Sequence, residues 1–166
     1  MVEAGTKKMS KYGAKMTVVG GTTGVADQGN VVIGIDPGAN TGIAIYHGGK
    51  LTSLHTIDPY RIAEYVAGAA RVVFEDSRLT SFVFTTAMSR ASALKMARNV
   101  GEIDAWCKLI VALCADLGIP AHGISPKGKG AKVKAPAFDA LTGWAGSSNE
   151  HTRDAAMVAW PYRRAA

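Results

Sequence analysis

Short β-branched runs dominate the first half of the chain, and apolar residues at helical spacing dominate the second. Val31-Val32-Ile33-Gly34-Ile35 reads as a buried strand ending on Asp36. A second strand is predicted over 41–47, and Gly48-Gly49 turns the chain into a third over 51–57. Asp58 and Pro59, as N-cap and first helical residue, open a helix that runs to about Gly68. Arg71 to Asp76 is a fourth strand. Leu94, Ala97, Ile103, Ile110, Leu113, Cys114 and Leu117 recur near helical spacing, which predicts a helix over about 88–117 closed by Gly118. Gly101 inside it marks either a close crossing or a break. Ile119 to Ile124 makes a fifth strand, followed by helices over about 133–143 and 149–160. Three antiparallel strands, then helix, strand, helix, strand and helix, describe a mixed α/β sheet with helices on its faces.

Residues 1–30 break this pattern: they carry Lys7, Lys8, Lys11 and Lys15, many Gly and Thr, and no sustained periodicity. They read as a flexible basic extension, leaving 31–166 as one domain. The full chain has 166 residues and 19 Lys and Arg against 13 Asp and Glu, a net +6 that favours a polyanionic partner. Cys107 and Cys114 lie seven apart in an apolar run, on one helix face, as buried reduced thiols. No CxxC pair, Cys/His zinc pattern, signal peptide or apolar run of the ~18 residues that a membrane span needs is present. The expectation is a soluble protein of a reducing compartment.

Asp36 precedes Pro37-Gly38, so its carboxylate either starts the turn or stands at the lip of the sheet where metal ions and phosphates are held. Glu75 sits near the end of the fourth strand, on the opposite face from Phe74 and Asp76. If that strand lies beside the first, Glu75 and Asp36 converge. Ser147 with Glu150 fits a capping box, so the last helix starts within 147–149. His151 and Asp154 are then neighbours, three apart on one face. Carboxylates and an imidazole from such distant positions suit a divalent ion: Mg²⁺ takes oxygen ligands and completes its shell with water and phosphate oxygens. Two such ions can clamp the attacking and leaving oxygens of phosphodiester cleavage. Imidazole suits Mn²⁺ better, so His151 either shifts metal preference or carries a proton beside the metal.

Lys127, Lys129, Lys132 and Lys134 fall within eight positions that contain no acid, a run able to track phosphates with steep salt dependence. It is not a Walker loop, because the spacing and the Lys-Ser/Thr pair are missing. Phe82 and Phe84 follow Glu75 in a loop with Arg78 and Arg90 nearby. Such aromatics stack on unpaired bases, or tuck into a core or interface. Trp106, Trp144 and Trp160 read as core or interface residues.

With these residues in place, the chain resembles the RuvC family of Holliday junction resolvases, in particular bacterial and phage-encoded members, over about Val31 to Ala159. Gly34-Ile35-Asp36-Pro37-Gly38 with Thr41-Gly42 resembles the first family motif, and Phe74-Glu75 the second acidic one. Ser92-Ala93-Leu94-Lys95 followed by Gly101 is similar to the long helix of the family's dimer interface. His151-x-x-Asp154 resembles the final motif, where members carry Asp or His first. The resemblance implies an RNase H-like fold and a homodimer that makes two symmetric nicks in a four-way DNA junction with Mg²⁺ or Mn²⁺. It implies 5′-phosphate and 3′-hydroxyl ends, and a place in the cytoplasm of a bacterial or phage-infected cell, where a branch-migration helicase could be a partner. Asp36, Glu75 and Asp154 would hold the metals, with His151 as fourth ligand or acid/base. Phe82 or Phe84 would probe the junction centre, and lysines among 127–134 would stand for the family's basic residues. A broader branched or flap DNA nuclease, and a junction-binding module without turnover, remain the competing readings. An ATPase of the actin or sugar-kinase type would need two similar lobes, and one is present.

Overall fold

The computed structural model describes residues 30–80, 89–128 and 131–164. Residues 1–29, and with them the basic extension, lie outside the described residues, as do Phe82, Phe84 and Lys129. The described residues hold five strands, β1 (Val31–Asp36), β2 (Thr41–His47), β3 (Lys50–Ile57), β4 (Arg71–Glu75) and β5 (Ala121–Ile124). They form one sheet in the order β3-β2-β1-β4-β5. The first three strands are antiparallel, and β4 then β5 add in parallel. Gly48 and Gly49, with φ of 55° and 81°, make the two-residue turn between β2 and β3.

Among the described residues four helices cover this sheet: α1 (Ile62–Val66), α2 (Arg90–Asp116), α3 (Ala135–Thr142) and α4 (Glu150–Ala159). Alternation along the central strands sorts the core into two layers. Ile33, Ile35, Ile43, Val72 and Phe74 pack with Ile62 and Val66 of α1 and Cys107, Ile110 and Cys114 of α2. Val32, Ala44, Tyr46 and Val73 pack with Phe138 of α3 and Ala155, Ala156, Val158 and Ala159 of α4. Helices therefore lie on both faces of a mixed five-stranded sheet, and the fold is RNase H-like. Both cysteines are buried and free, as their spacing implies. Among the described residues no helix is long and apolar enough to cross a membrane.

Several boundaries differ from expectation. The helix placed after Asp58 is a 3-10 turn over Pro59–Arg61 and then the five residues of α1. Asp58 has the extended backbone of an N-cap, but its carboxylate accepts from the Tyr60 hydroxyl at 2.9 Å instead of capping the backbone. Helix α2 runs unbroken through Gly101, so no break occurs there. The fifth strand starts at Ala121, later than predicted, because the Ile119 N–H turns back to the Cys114 carbonyl to finish α2. Trp106, Trp144 and Trp160 are partly buried, and the last two pack against the α3/α4 layer.

Tyr46 joins the sheet to α4: it is fully buried and its hydroxyl donates to the Ala156 carbonyl at 2.9 Å. Burial pushes the phenol well above its ordinary 10.0, partly offset by Arg163. The folded state thus keeps a proton that the unfolded chain loses. This contribution is complete below about pH 10 and disappears as pH climbs through the raised folded value. Tyr46→Phe is expected to cost about 1 kcal/mol in urea unfolding at neutral pH and to flatten the stability loss above about pH 10.

Candidate functional site

Strands β1 and β4 run parallel with Ile35 opposite Phe74, so the next residues, Asp36 and Glu75, end neighbouring strands side by side. Alternation puts both on the face of Val32 and Val73, which α4 covers. The turn after Asp36 is closed by the Thr41 hydroxyl, which donates to the Gly38 carbonyl at 2.8 Å. Gly42 is the β2 partner of Asp36. A Cβ at Gly42 would stand 2.1 Å from the His151 carbonyl oxygen, so the first turn of α4 rests directly on the strand beside Asp36.

The N-terminus of α4 is fixed by Asn149. Its side chain accepts from the Thr152 N–H at 3.0 Å, and its own N–H donates to the Thr152 hydroxyl at 3.0 Å. Its Nδ2 donates to Thr56 of β3 at 2.8 Å. The capping box is therefore Asn149 with Thr152, not Ser147 with Glu150. Asn149 immediately precedes the first helical residue, and its amide offers both an acceptor for the helix and a donor for β3. Glu150 faces the cleft, and its carboxylate pairs with Lys132.

Docked this way, α4 brings His151 to Asp36: Nδ1 lies 3.0 Å from Oδ2, with the carboxylate 15% and the imidazole 44% exposed. Asp154, 9% exposed at its side chain, lies one turn further along and 3.8 Å from the Lys132 ammonium. Asp36, Glu75, His151 and Asp154 line a single open cleft of about 680 Å³. Lys132 and Glu150 line it too, and α2 contributes Asn99 and Glu102.

Behind Glu75, α2 grips the end of β4. The Ser77 hydroxyl donates to Asp104 at 2.6 Å, and the Cys107 thiol lies 3.6 Å from the Glu75 carbonyl. Burial pushes the Cys107 thiol up, keeping it protonated and able to donate. Asp76, on the opposite face from Glu75, accepts two hydrogen bonds from the Arg78 guanidinium at 2.8 and 2.7 Å. That pairing holds the Asp76 carboxyl below its ordinary value of 3.8.

The four site residues expected from the sequence thus meet. Of the basic residues expected to touch DNA, Lys132 lines the cleft, whereas Lys127, Lys134 and Arg78 do not. Lys127 lies in the 3-10 turn after β5, Lys134 is the residue before α3, and the Arg78 fork is engaged by Asp76. Glu150, Asn99 and Glu102 were not anticipated as cleft residues. Their one sequence signal is helical spacing, three apart, for Asn99 and Glu102 around Gly101.

Among the described residues, no group of three or more His, Cys, Asp or Glu side chains is spaced to hold a metal ion. The donor types are those that a hard divalent cation takes. Carboxylate oxygens of Asp36, Glu75 and Asp154 share the cleft with an imidazole, and Mg²⁺ typically uses one or two carboxylates, several waters and substrate phosphates instead of an all-protein cage.

No protein-family model matches the chain, and no curated protein matches it. Solved structures do. The structure of T. thermophilus RuvC in complex with Holliday junction substrate superimposes with a TM-score of 0.54 at 18% sequence identity, over 79% of this chain and 90% of that one. At that identity the likeness concerns the fold.

Proposed function

We propose that this protein is a structure-selective DNA endonuclease that resolves four-way junctions by paired, metal-dependent hydrolysis. The observation that carries the reading is the meeting of Asp36 and Glu75, on adjacent strand ends, with His151 and Asp154 of α4 in one cleft. The fold shared with a structure of RuvC bound to a Holliday junction substrate supports it. So does the net +6 charge, which suits a polyanion.

Asp36, Glu75, Asp154 and His151 would hold Mg²⁺ or Mn²⁺; such ions neutralise charge on a scissile phosphate and lower the pKa of an attacking water.

 The other residues have roles of their own. Asp36 engages His151 through Nδ1, so a proton taken from or given to the reacting oxygens would pass through Nε2. Lys132 stands at the cleft where a phosphate would enter. The described residues form one such cleft, and two symmetric nicks need two, which calls for a pair of chains acting together. The products would be 5′-phosphate and 3′-hydroxyl ends.

The experiment is cleavage of a synthetic four-way junction in Mg²⁺, Mn²⁺ or chelator, with linear duplex and flap controls. Paired symmetric nicks on the junction alone, in either metal and never in chelator, are the expected result. Equal cutting of flaps would make the protein a broader branch nuclease. A junction-binding module without turnover is the second reading, and the lack of a three-ligand metal group among the described residues is the observation in its favour. Tight binding with no cutting in either metal would establish it.

A further inference from the structure

Lys132 reaches into the acidic side of the cleft. Its ammonium pairs with the Glu150 carboxylate and stands 3.8 Å from Oδ2 of Asp154. Those two acids are four residues apart on α4, so they share a helix face and repel each other. One ammonium answers both. Nor is the segment that carries it loosely placed: Arg153 Nε donates to the Val133 carbonyl at 3.0 Å, and Arg153 Nη1 donates to the Ser148 carbonyl at 3.2 Å. A guanidinium from α4 itself thus ties down the residue next to Lys132. Side-chain exposures of 60% for Lys132 and 56% for Glu150 make this pair a minor contributor to folding, and leave the ammonium within reach of a phosphate.

We propose that Lys132 is an internal counter-cation, which occupies Glu150 and Asp154 against a divalent ion until a DNA phosphate draws its ammonium away. This rests on the metal-dependent reading of the cleft and adds a regulation to it. One ammonium cannot neutralise the acids and a phosphate equally well at once. Without DNA it opposes a second cation beside Asp154. With DNA, backbone phosphates compete for it and the acids are released. DNA and divalent ion therefore bind with positive coupling, and each raises the affinity for the other by the same factor.

The test uses the full chain and Mn²⁺ alone as the probe, with free Mn²⁺ followed by electron paramagnetic resonance. In the absence of DNA, Lys132→Ala is expected to bind Mn²⁺ about fivefold more tightly than wild type at low salt, with the gap closing as salt rises. Lys132→Arg keeps the charge and should return the affinity toward wild type. In chelator, Lys132→Ala should bind a four-way junction more weakly, with a salt slope reduced by about one. These opposite signs are the signature of a shared ammonium. Equal Mn²⁺ affinity in Lys132→Ala and wild type, with Mn²⁺ binding lost in Asp36→Asn, would overturn the counter-cation and leave the metal-dependent reading intact. Mn²⁺ binding unchanged by Asp36→Asn would overturn both.

Discussion

Asp36→Asn is expected to lower junction cleavage by about three orders of magnitude while leaving junction binding in Ca²⁺ nearly unchanged. The substitution is close to isosteric, and the amide oxygen can still accept a hydrogen bond from the His151 ring at the 3.0 Å separation of the native pair. Packing of α4 on β1 and β2 should therefore survive. What disappears is a negative charge at the end of the central strand, beside Glu75 and facing His151. On the proposed metal-dependent reading that charge is needed twice, once to hold a divalent ion and once to orient the imidazole. Neither need arises in merely holding DNA. Single-turnover cleavage and junction binding, measured on one preparation, separate the two. Cleavage persisting in Asp36→Asn would remove Asp36 from the chemistry, and joint loss of cleavage and binding would make it a structural residue.

The strand ends were legible because β periodicity is local: alternation alone puts Glu75 opposite Phe74, and parallel pairing of β1 with β4 then brings it to Asp36. The pairing of His151 with Asp154 followed in the same way from helical spacing. Choices among equivalent candidates were not legible. Ser147, Ser148 and Asn149 can all cap a helix, and Thr56, distant in sequence, favours Asn149. Several lysines crowd 127–134, and the grip of Arg153 on the Val133 carbonyl holds the segment that places Lys132 at the cleft. Asn99 and Glu102 line the cleft through the way α2 crosses the sheet, a tertiary fact that its own periodicity does not encode.

Gly42→Ala is expected to damage stability and chemistry together, although its side chain is a single methyl. The new Cβ would stand 2.1 Å from the His151 carbonyl oxygen and 2.4 Å from the carbonyl carbon, both backbone atoms of α4. Neither can step aside as a flexible side chain could, so the helix must move off the strand by about 1 Å to restore ordinary contact. Asn149 resists that movement through Thr56, and Tyr46 resists it further along through Ala156. A destabilisation of about 2–3 kcal/mol follows. Any helix shift that does occur stretches the contact between His151 and Asp36, and a displacement of about 1 Å can cost about a hundredfold in rate. Gly38→Ala is the matched control: it lies in the same turn region, and a Cβ there meets nothing within 4 Å. Urea unfolding of both variants, with single-turnover cleavage under conditions where each is folded, gives the comparison. If Gly42→Ala matches Gly38→Ala in both measurements, α4 does not rest on β2 as closely as this, and the placing of His151 against Asp36 loses its support.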